Sequence, residues 1–316
     1  KGAIYIQDRV TLFGGGATLV GGLRYDAKSE IFDDYFSPRI SLVVNPSKSL
    51  VLRAGWGTAF RFPGFSELYE DTWFLNVSNH TLPIPPIPLA VFKPNPNLKP
   101  EEVRTFDFGT EVQIGSAFSA KLDLFHSTVK RFMVVAFATP PPPALATLQI
   151  ENHPDDATVL GGELELRATV QNVATGFVSY AYQEENQRGN LVDSTGKPFE
   201  FVYAPKHKIN VGAYFGPFAG VRGTVELQYR SEYVAPQFWY LVQSNFTDPS
   251  IRPLPAYTLL NGRLSYELPF EIRGKKAVKL SVYGNNLLDE RPQETLLGVP
   301  GQLPGREFLG RIEVSF

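Results

Sequence analysis

The chain has 316 residues, and its 30 Lys and Arg against 32 Asp and Glu give a formal net charge of −2. This balance provides no basic surface for nucleic acid, and 43% hydrophobic residues against 20% charged ones exclude disorder by composition. No apolar run approaches the ~20 residues of a membrane-spanning helix, which excludes helical membrane proteins. The lack of Cys excludes disulfides, thiolate metal sites and a cysteine nucleophile.

Aromatic residues make up 13% of the chain, and 27 Gly and 26 Pro supply many turn positions. Such a mixture disfavours helices and favours strands joined by turns. The dominant pattern is period-two alternation; in residues 220–233, for example, Val225 and Leu227 alternate with Glu226 and Gln228. The same alternation recurs in segments 2–13, 16–27, 38–45, 49–60, 101–115, 117–137, 147–152, 162–170, 174–185, 203–215, 261–268, 276–288 and 307–316. No segment combines helix caps with a 3.6-residue period, so the sequence predicts an all-β fold of about thirteen strands.

The lengths of the strands and connections favour one β class over another. Many predicted strands exceed ten residues, whereas strands of globular proteins are usually ~5–6 residues long. Short turns at 14–16, 45–49, 115–117, 171–174 and 216–220 alternate with longer loops at 28–37, 61–100, 138–146, 186–202, 234–254 and 289–305. An antiparallel transmembrane β-barrel has this arrangement, with short periplasmic turns, long extracellular loops, an apolar face towards lipid and a polar lumen. The alternative is a soluble β-sandwich, whose strands alternate in the same way.

The number of strands bears on whether the barrel is complete. Bacterial single-chain barrels have an even number of strands, and an open edge within lipid leaves backbone groups unpaired. About thirteen strands, no signal peptide and a start within a strand pattern therefore predict the carboxy-terminal portion of a larger barrel. We expect that this chain alone does not close.

Three groups of residues carry a family resemblance. The segment 59–63, with Glu67 and the segment 95–101, resembles the paired FRAP and NPNL boxes of TonB-dependent outer-membrane receptors, although Phe62 stands where the box usually has Ala. Segments 5–8 and 22–26 resemble mid-barrel strands of that family. Segments 285–289 and 304–306, with the terminal Phe316, resemble its carboxy-terminal end. These motifs occur in the family's order across nearly the whole chain.

The resemblance implies a 22-stranded barrel filled by an amino-terminal plug domain, with residues 1–316 as the carboxy-terminal part of the barrel. It implies a multi-pass protein of the Gram-negative outer membrane that takes up a scarce ligand with energy delivered by TonB through the plug. A ferric siderophore is the favoured ligand, with haem or cobalamin as alternatives. The expected partners are outer-membrane lipid, the TonB complex and a small-molecule metal chelate. No resident cofactor is expected, because the metal arrives as transported cargo.

Restricted backbones and turn-forming side chains predict a structural role for the motif residues. Asn-Pro and Lys-Pro limit the backbone, and Asn side chains hydrogen-bond turn amides. The residues assigned to this role are Arg61, Pro63, Glu67, Asn95, Asn97, Glu101, Pro304, Gly305, Arg306 and Phe316.

Two loops carry aromatic clusters suited to a large, flat or chelated ligand. The candidates are Tyr69, Trp73, Phe74 and His80 in the first loop and Phe238, Trp239, Tyr240 and Arg252 in the second. The resemblance places His80 where haem receptors of the family carry an axial histidine; otherwise it is a solvated loop residue. Arg252 suits an anionic chelate, whereas the aromatic residues around it also suit an interfacial anchor.

Catalysis and metal binding have little support in the sequence. His80, His126, His153 and His207 are scattered, without the spacing of metal ligands or an evident Ser and Asp nearby. We therefore expect no enzyme, no catalytic residue and no protein-bound metal. The main rival to a receptor is a passive porin-like channel, which shares the physics of the barrel but should lack the two boxes and the plug.

Overall fold

The computed structural model describes residues 2–27, 34–70, 73–76, 88–138, 146–187, 204–235, 252–269, 271–272, 275–276, 278–296 and 299–314. In chain order the strands are β1 (Ala3–Leu12), β2 (Ala17–Asp26), β3 (Tyr35–Ser47), β4 (Leu50–Arg61), β5 (Trp73–Asn76), β6 (Pro88–Lys93), β7 (Glu101–Ile114), β8 (Phe118–Lys130), β9 (Met133–Ala138), β10 (Ala146–Asn152), β11 (Ala157–Val170), β12 (Ala174–Gln187), β13 (His207–Phe218), β14 (Val221–Arg230), β15 (Tyr233–Ala235), β16 (Arg252–Leu254), β17 (Tyr257–Glu267), β18 (Glu271–Ile272), β19 (Lys275–Lys276), β20 (Val278–Asn285), β21 (Gln293–Leu296), β22 (Val299–Gln302) and β23 (Glu307–Val314). A 3₁₀ turn lies at Phe13–Gly15, and helix α1 spans Phe65–Tyr69. None of the described helices is long and apolar enough to span a bilayer.

Thirteen strands form one sheet in the order β1-β2-β3-β4-β7-β8-β11-β12-β13-β14-β17-β20-β23. Every neighbouring pair is antiparallel. Each strand therefore pairs with the next wall strand along the chain, as in an up-and-down wall. The all-β prediction with about thirteen strands is confirmed.

The remaining strands belong to the connections of the wall. At the long-loop end, β5, β6, β10 and β9 form a separate four-stranded sheet, and β15 pairs with β16 and β21 with β22. The predicted segment 147–152 is therefore a strand, β10, but it lies outside the wall, and the end of segment 117–137 likewise becomes β9. Alternation alone does not distinguish the two positions, because a loop strand alternates in the same way.

The two faces of the wall differ in chemistry, and the apolar face is uncovered. Leu264, Val282 and Ile312 project from it and are 55%, 57% and 72% exposed. Among the described residues only six hydrophobic side chains are buried: Ala17, Leu68, Leu98, Ala157, Leu254 and Tyr257. A sandwich would bury its apolar rows between two stacked sheets, so the soluble alternative is wrong.

The polar face carries matched charges in register. Arg53 lies opposite Gly109, and Asp123 and Glu163 follow on the next two strands. Because Gly109 has no side chain, the Arg53 guanidinium passes over it to pair with Asp123, which also bridges Lys121 at 3.1 Å. These charges share one face of the wall, and Asp123 pairs with two of the neighbouring cations.

The sheet is open in the described part of the chain. Its edges are β1 and β23, which do not pair with each other. All ten residues of β1 are exposed, and Phe308 of β23 is 69% exposed. The described wall does not close, as the odd strand number predicts.

Candidate functional site at the long-loop end

The two sequence boxes meet in a small hydrophobic cluster above the end of the wall. Helix α1 begins where the Glu67 carboxylate accepts a hydrogen bond from the Gly64 amide at 2.5 Å. Its Leu68 is 2% exposed and packs with Leu98, which is 5% exposed. Phe62, Met133 and Ile150 pack against this pair. We call α1, residues 94–100, β9 and β10 the loop platform.

Asparagine side chains join the segments of the loop platform. The Asn95 amide nitrogen donates to the Ile150 carbonyl at 2.9 Å, and its Oδ1 accepts from the Asn97 backbone at 3.1 Å. Asn152 accepts from the Lys99 amide at 2.7 Å and donates to the Lys99 and Arg131 carbonyls at 2.8 and 2.7 Å. Peptide groups of an irregular segment thereby gain partners that a strand ladder otherwise provides.

A charged network anchors the loop platform to the wall. Arg61 and Glu101 lie opposite each other where β4 meets β7. The Arg61 guanidinium donates to Glu101 at 2.6 Å and lies 3.7 Å from Glu67. The second Glu101 oxygen accepts the Met133 amide at 2.6 Å, which ties β9 to the same carboxylate. One carboxylate therefore links three chain segments.

Several residues of the loop platform were not predicted from the sequence. Arg131, Met133, Ile150 and Asn152 come from the β8–β11 connection, about 30 to 50 residues beyond the second box. Arg131 adopts a positive φ of 54° and donates to the Pro100 carbonyl at 3.0 Å. Their only local signal is the segment Asn152-His153-Pro154, which is typical of a turn.

The carboxy-terminal motif closes the connection between β20 and β23. The Asn286 amide donates to the Pro304 carbonyl at 2.9 Å, and Asp289 accepts the Arg306 amide at 2.8 Å. This hydrogen bond, together with the positive charges of Arg291 and Arg306, lowers the pKa of the Asp289 carboxyl. A Cβ on Gly305 would lie 2.8 Å from the Asp289 carboxylate, which explains the glycine. Phe316 lies outside the described residues.

The structure places only part of the predicted ligand-binding set. Tyr69 ends α1, is 43% exposed and has its ring 5.4 Å from that of Phe65. Trp73 and Phe74 lie in β5 opposite β6, and Arg252 lies in β16 opposite Ala235; the side chains of these three are outside the described part. His80, Phe238, Trp239 and Tyr240 also lie outside the described residues.

The polar face has a recess near the short-turn end, with a volume of about 340 Å³. Arg222, Arg263 and Lys279 line it together with threonine and serine hydroxyls. Arg263 donates to Ser265 at 3.0 Å, and its guanidinium lies 4.9 Å from the centroid of the Tyr283 ring. This part of the polar face therefore presents charges and hydroxyls to a hydrated solute.

The described histidines lie apart from one another. His126 lies on the apolar face of β8, His153 is 4% exposed within the platform region, and His207 contacts the Tyr180 hydroxyl at 2.8 Å. Among the described residues no three His, Asp or Glu side chains form a group that could hold a metal ion. Within the described part the site consists of a platform joined by side-chain hydrogen bonds, with the exposed Tyr69 at the end of α1.

Comparison with known proteins supports this architecture. The family model described as TonB dependent receptor-like, beta-barrel, matches residues 1–287. Over 132 residues the chain is 30% identical to a hemin receptor of Yersinia enterocolitica, covering 39% of this chain and 18% of that protein. Over 307 residues it is 24% identical to the iron-regulated outer membrane virulence protein of Vibrio cholerae, covering 95% of this chain and 42% of that protein.

A solved structure shows the same fold. A point mutant of the ferric enterobactin receptor from Pseudomonas aeruginosa matches with a TM-score of 0.69 at 19% sequence identity, over 99% of this chain and 44% of that one. The chain thus spans less than half the length of these relatives.

Proposed function

The chain belongs to the TonB-dependent receptor β-barrel family, and we propose that it is the carboxy-terminal part of a barrel that takes up an iron-carrying ligand with energy from TonB. The family places the strand wall in the outer membrane of a Gram-negative bacterium. The observation that carries the proposal is the match of the family model to residues 1–287 in a chain whose wall separates an uncovered apolar face from a charged one.

The two open edges support a larger barrel. Unpaired strand edges within lipid cost several kcal/mol for each unsatisfied backbone group. Further strands that precede residue 1 and pair with β1 and β23 would remove both edges. In this proposal residues 1–316 are the last thirteen strands of 22, and a plug domain precedes all of them.

The chemistry of the polar face supports a movable plug. A barrel of this width leaves an aqueous lumen unless it is filled. Ion pairs such as Arg53–Asp123 and Arg222–Glu267 present charge and hydrogen-bond capacity to a plug. Because these contacts are exchangeable with water, the plug can shift without exposing a hydrophobic interface.

The ligand we favour is a ferric siderophore. A ferric enterobactin receptor is among the solved structures with this fold, and a relative that aligns over most of the chain is iron-regulated. Haem is the second candidate, because a 132-residue stretch of the chain is 30% identical to a hemin receptor. Either ligand fits an aromatic rim that includes Tyr69, and neither requires a metal site made by protein side chains.

The decisive experiment measures uptake with the full-length receptor. Iron-starved cells that lack their other iron receptors are given radiolabelled ferric siderophores, haem or cobalamin, with and without TonB. We expect saturable uptake of one iron-carrying ligand that disappears without TonB. Uptake that persists without TonB would favour the porin-like channel, and uptake of cobalamin alone would overturn the iron assignment.

A variant distinguishes the two iron ligands. If haem is bound through an axial imidazole, His80→Ala should weaken haem binding by at least tenfold and change the haem absorbance spectrum. Binding of a ferric siderophore should be unchanged in the same variant. His126→Ala is the matched control, because His126 lies on the apolar face of the wall. Unchanged haem affinity in His80→Ala would remove His80 as a ligand.

A further inference from the structure

The polar face has a surplus of positive charge at its short-turn end. Strands β14, β17, β20 and β23 carry the charged group in three adjacent rows of opposed residues. Opposed residues on neighbouring strands point to the same side, so the members of the group share the lumen side. The cations are Arg222, Arg263, Lys279 and Arg311, and the carboxylates are Glu267 and Glu313. In these rows four cations therefore face two carboxylates.

The two carboxylates leave Arg263 uncompensated. Glu267 lies 3.3 Å from the Arg222 guanidinium, and Glu313 is shared between Lys279 at 3.9 Å and Arg311 at 3.4 Å. The Arg263 guanidinium donates to a serine hydroxyl and lies over a tyrosine ring, and within the described part of the chain it has no carboxylate partner. A partly buried charge is costly unless it is paired. Arg263 is half-buried, so it is the cation of this group that a bound anion would stabilise most.

The uncompensated cation lines a recess. The recess of about 340 Å³ at this end of the wall has Arg222, Arg263 and Lys279 in its lining, together with the hydroxyls of Thr224 and Ser265. The turn between β11 and β12 also lines it, and short turns of such barrels face the periplasm. Guanidinium, ammonium and hydroxyl groups are donors that suit carboxylate and phenolate oxygens. The recess therefore has the chemistry of an anion site at the periplasmic end of the lumen.

The positive surplus is not a general property of the polar face. A second recess, farther from the turn between β11 and β12, has a volume of about 280 Å³. Three carboxylates and two lysines line it: Asp123, Glu163, Glu165, Lys121 and Lys208. The positive charge is thus concentrated where a ligand would leave the lumen.

The exposure and the size of the recess favour weak binding of one part of a ligand. The side chains of Arg222 and Lys279 are 52% and 27% exposed, and solvent screens charges of this kind. A site on a conduction path must bind strongly enough for entry and weakly enough for exit. Ligand pockets commonly measure about 300–1,000 Å³, so this recess accommodates an anionic arm of a large chelate rather than the whole molecule.

We propose that Arg263, Lys279 and Arg222, with the hydroxyls of Thr224 and Ser265, bind carboxylate or phenolate oxygens of the transported iron chelate after it has passed the plug. This inference rests on the proposed function, because it concerns the passage of the same ligand. It adds a second, weaker site at the end of the lumen opposite the long loops. It also assigns the cargo to the anionic chelates, which such a recess favours over neutral or cationic ones.

Thiol modification of the full-length receptor tests the charge preference of the recess. Thr224→Cys places a thiol in the recess, and residues 1–316 contain no other cysteine. The purified receptor is treated in non-ionic detergent with two methanethiosulfonate reagents of similar size, one with a sulfonate and one with a trimethylammonium group, and the unsubstituted receptor is the blank. Thr18→Cys is the matched control, because Thr18 is a half-buried hydroxyl residue of the same face whose opposed residues, Thr11 and Val43, are uncharged. We expect the ratio of sulfonate to trimethylammonium rates to be about tenfold higher in Thr224→Cys than in Thr18→Cys.

Substitutions of Arg263 test its part in this preference. In the Thr224→Cys receptor, Arg263→Gln should lower the rate ratio about three- to tenfold, whereas Arg263→Lys keeps the charge and should retain most of it. Arg9→Gln should leave the ratio unchanged, because Arg9 lies on the polar face of β1 outside the recess. Citrate, a tricarboxylate, should slow modification of Thr224→Cys but not of Thr18→Cys at equal ionic strength. The inference is overturned if the two cysteine variants give equal ratios, or if neither reagent modifies Thr224→Cys, since the plug would then fill the recess.

Uptake separates this inference from the proposed function. With the radiolabelled ferric siderophore or haem that the parent takes up, Arg263→Gln should lower the maximal TonB-dependent rate about three- to tenfold. The half-saturating concentration should not change, because the long loops at the other end set it, and Arg9→Gln should transport like the parent. Equal maximal rates in Arg263→Gln and the parent would overturn a role in passage. Absence of TonB-dependent uptake in the parent would refute the proposed function, while the labelling ratios decide by themselves whether the recess prefers anions.

Discussion

Removing the Asn152 side chain should loosen the loop platform and leave the strand wall intact. In Asn152→Ala three hydrogen bonds of 2.7–2.8 Å to Lys99 and Arg131 are lost. Each is worth about 0.5–1.5 kcal/mol net. Because Lys99 is exposed, water replaces part of the lost hydrogen bonding, so we expect a loss of about 2 kcal/mol in the local opening free energy rather than the full sum.

Amide hydrogen exchange of the full-length receptor measures this opening directly. A loss of about 2 kcal/mol corresponds to roughly 30-fold faster exchange. The acceleration should be confined to peptides that cover residues 94–101 and 131–133. Peptides from β13 and β14 should exchange as in the parent, because these strands pair with each other and with the wall strands β12 and β17.

Asn45→Ala is the matched control. Asn45 is an exposed asparagine at the short-turn end of β3, and its side chain makes no hydrogen bond in the described structure. Its removal should leave exchange in residues 94–101 unchanged. A change below about threefold in Asn152→Ala, or an equal change in Asn45→Ala, would refute the idea that Asn152 holds the loop platform together.

Two further variants separate the stability of the loop platform from that of the wall. Leu68→Ala removes a side chain that is 2% exposed and should destabilise the loop platform by about 2–3 kcal/mol. Limited proteolysis should then cut near α1, while the melting temperature of the barrel should be unchanged. A lower melting temperature with no new cleavage would contradict this. Gly161→Ala would put a Cβ 2.7 Å from the Tyr182 backbone oxygen and should destabilise the wall by about 1–3 kcal/mol. The measurement is the temperature at which the barrel unfolds and its gel mobility changes, and this temperature should fall. Gly21→Ala, with no atom within 4 Å of the new Cβ, is its control, and equal shifts in the two variants would show that packing at Gly161 does not matter.

Alternation and turn residues predicted most of the wall. Side chains of a strand point to opposite faces in turn. In β14, Val225 and Leu227 lie on one side and Glu226 and Gln228 on the other, so the local sequence shows which face is apolar and which is polar. Short turns such as the one at Gly115, which has a φ of 60°, also have local causes. The order of the wall followed because each strand pairs with the next one along the chain.

The candidate site was predicted only in part. The boxes around Arg61, Glu67 and Asn95 stood out because Pro and Asn restrict the backbone locally. Their partners Met133 and Asn152 did not, since hydrogen bonds between residues 32 and 53 positions apart leave no mark on either segment. The same reason explains why segment 147–152 was expected among the wall strands: its alternation is that of a strand, and only its pairing shows where it lies.

The sequence by itself determined the fold class, the two faces of the wall and the positions of its turns, because these depend on residues close together in the chain. Only the tertiary structure decided that the β8–β11 connection builds the loop platform and that Arg222, Ser265, Ser281 and Arg311 stand in one row. Both arrangements depend on which residues of neighbouring strands lie opposite each other. This register is fixed by the hydrogen bonds of the whole sheet rather than by any one segment.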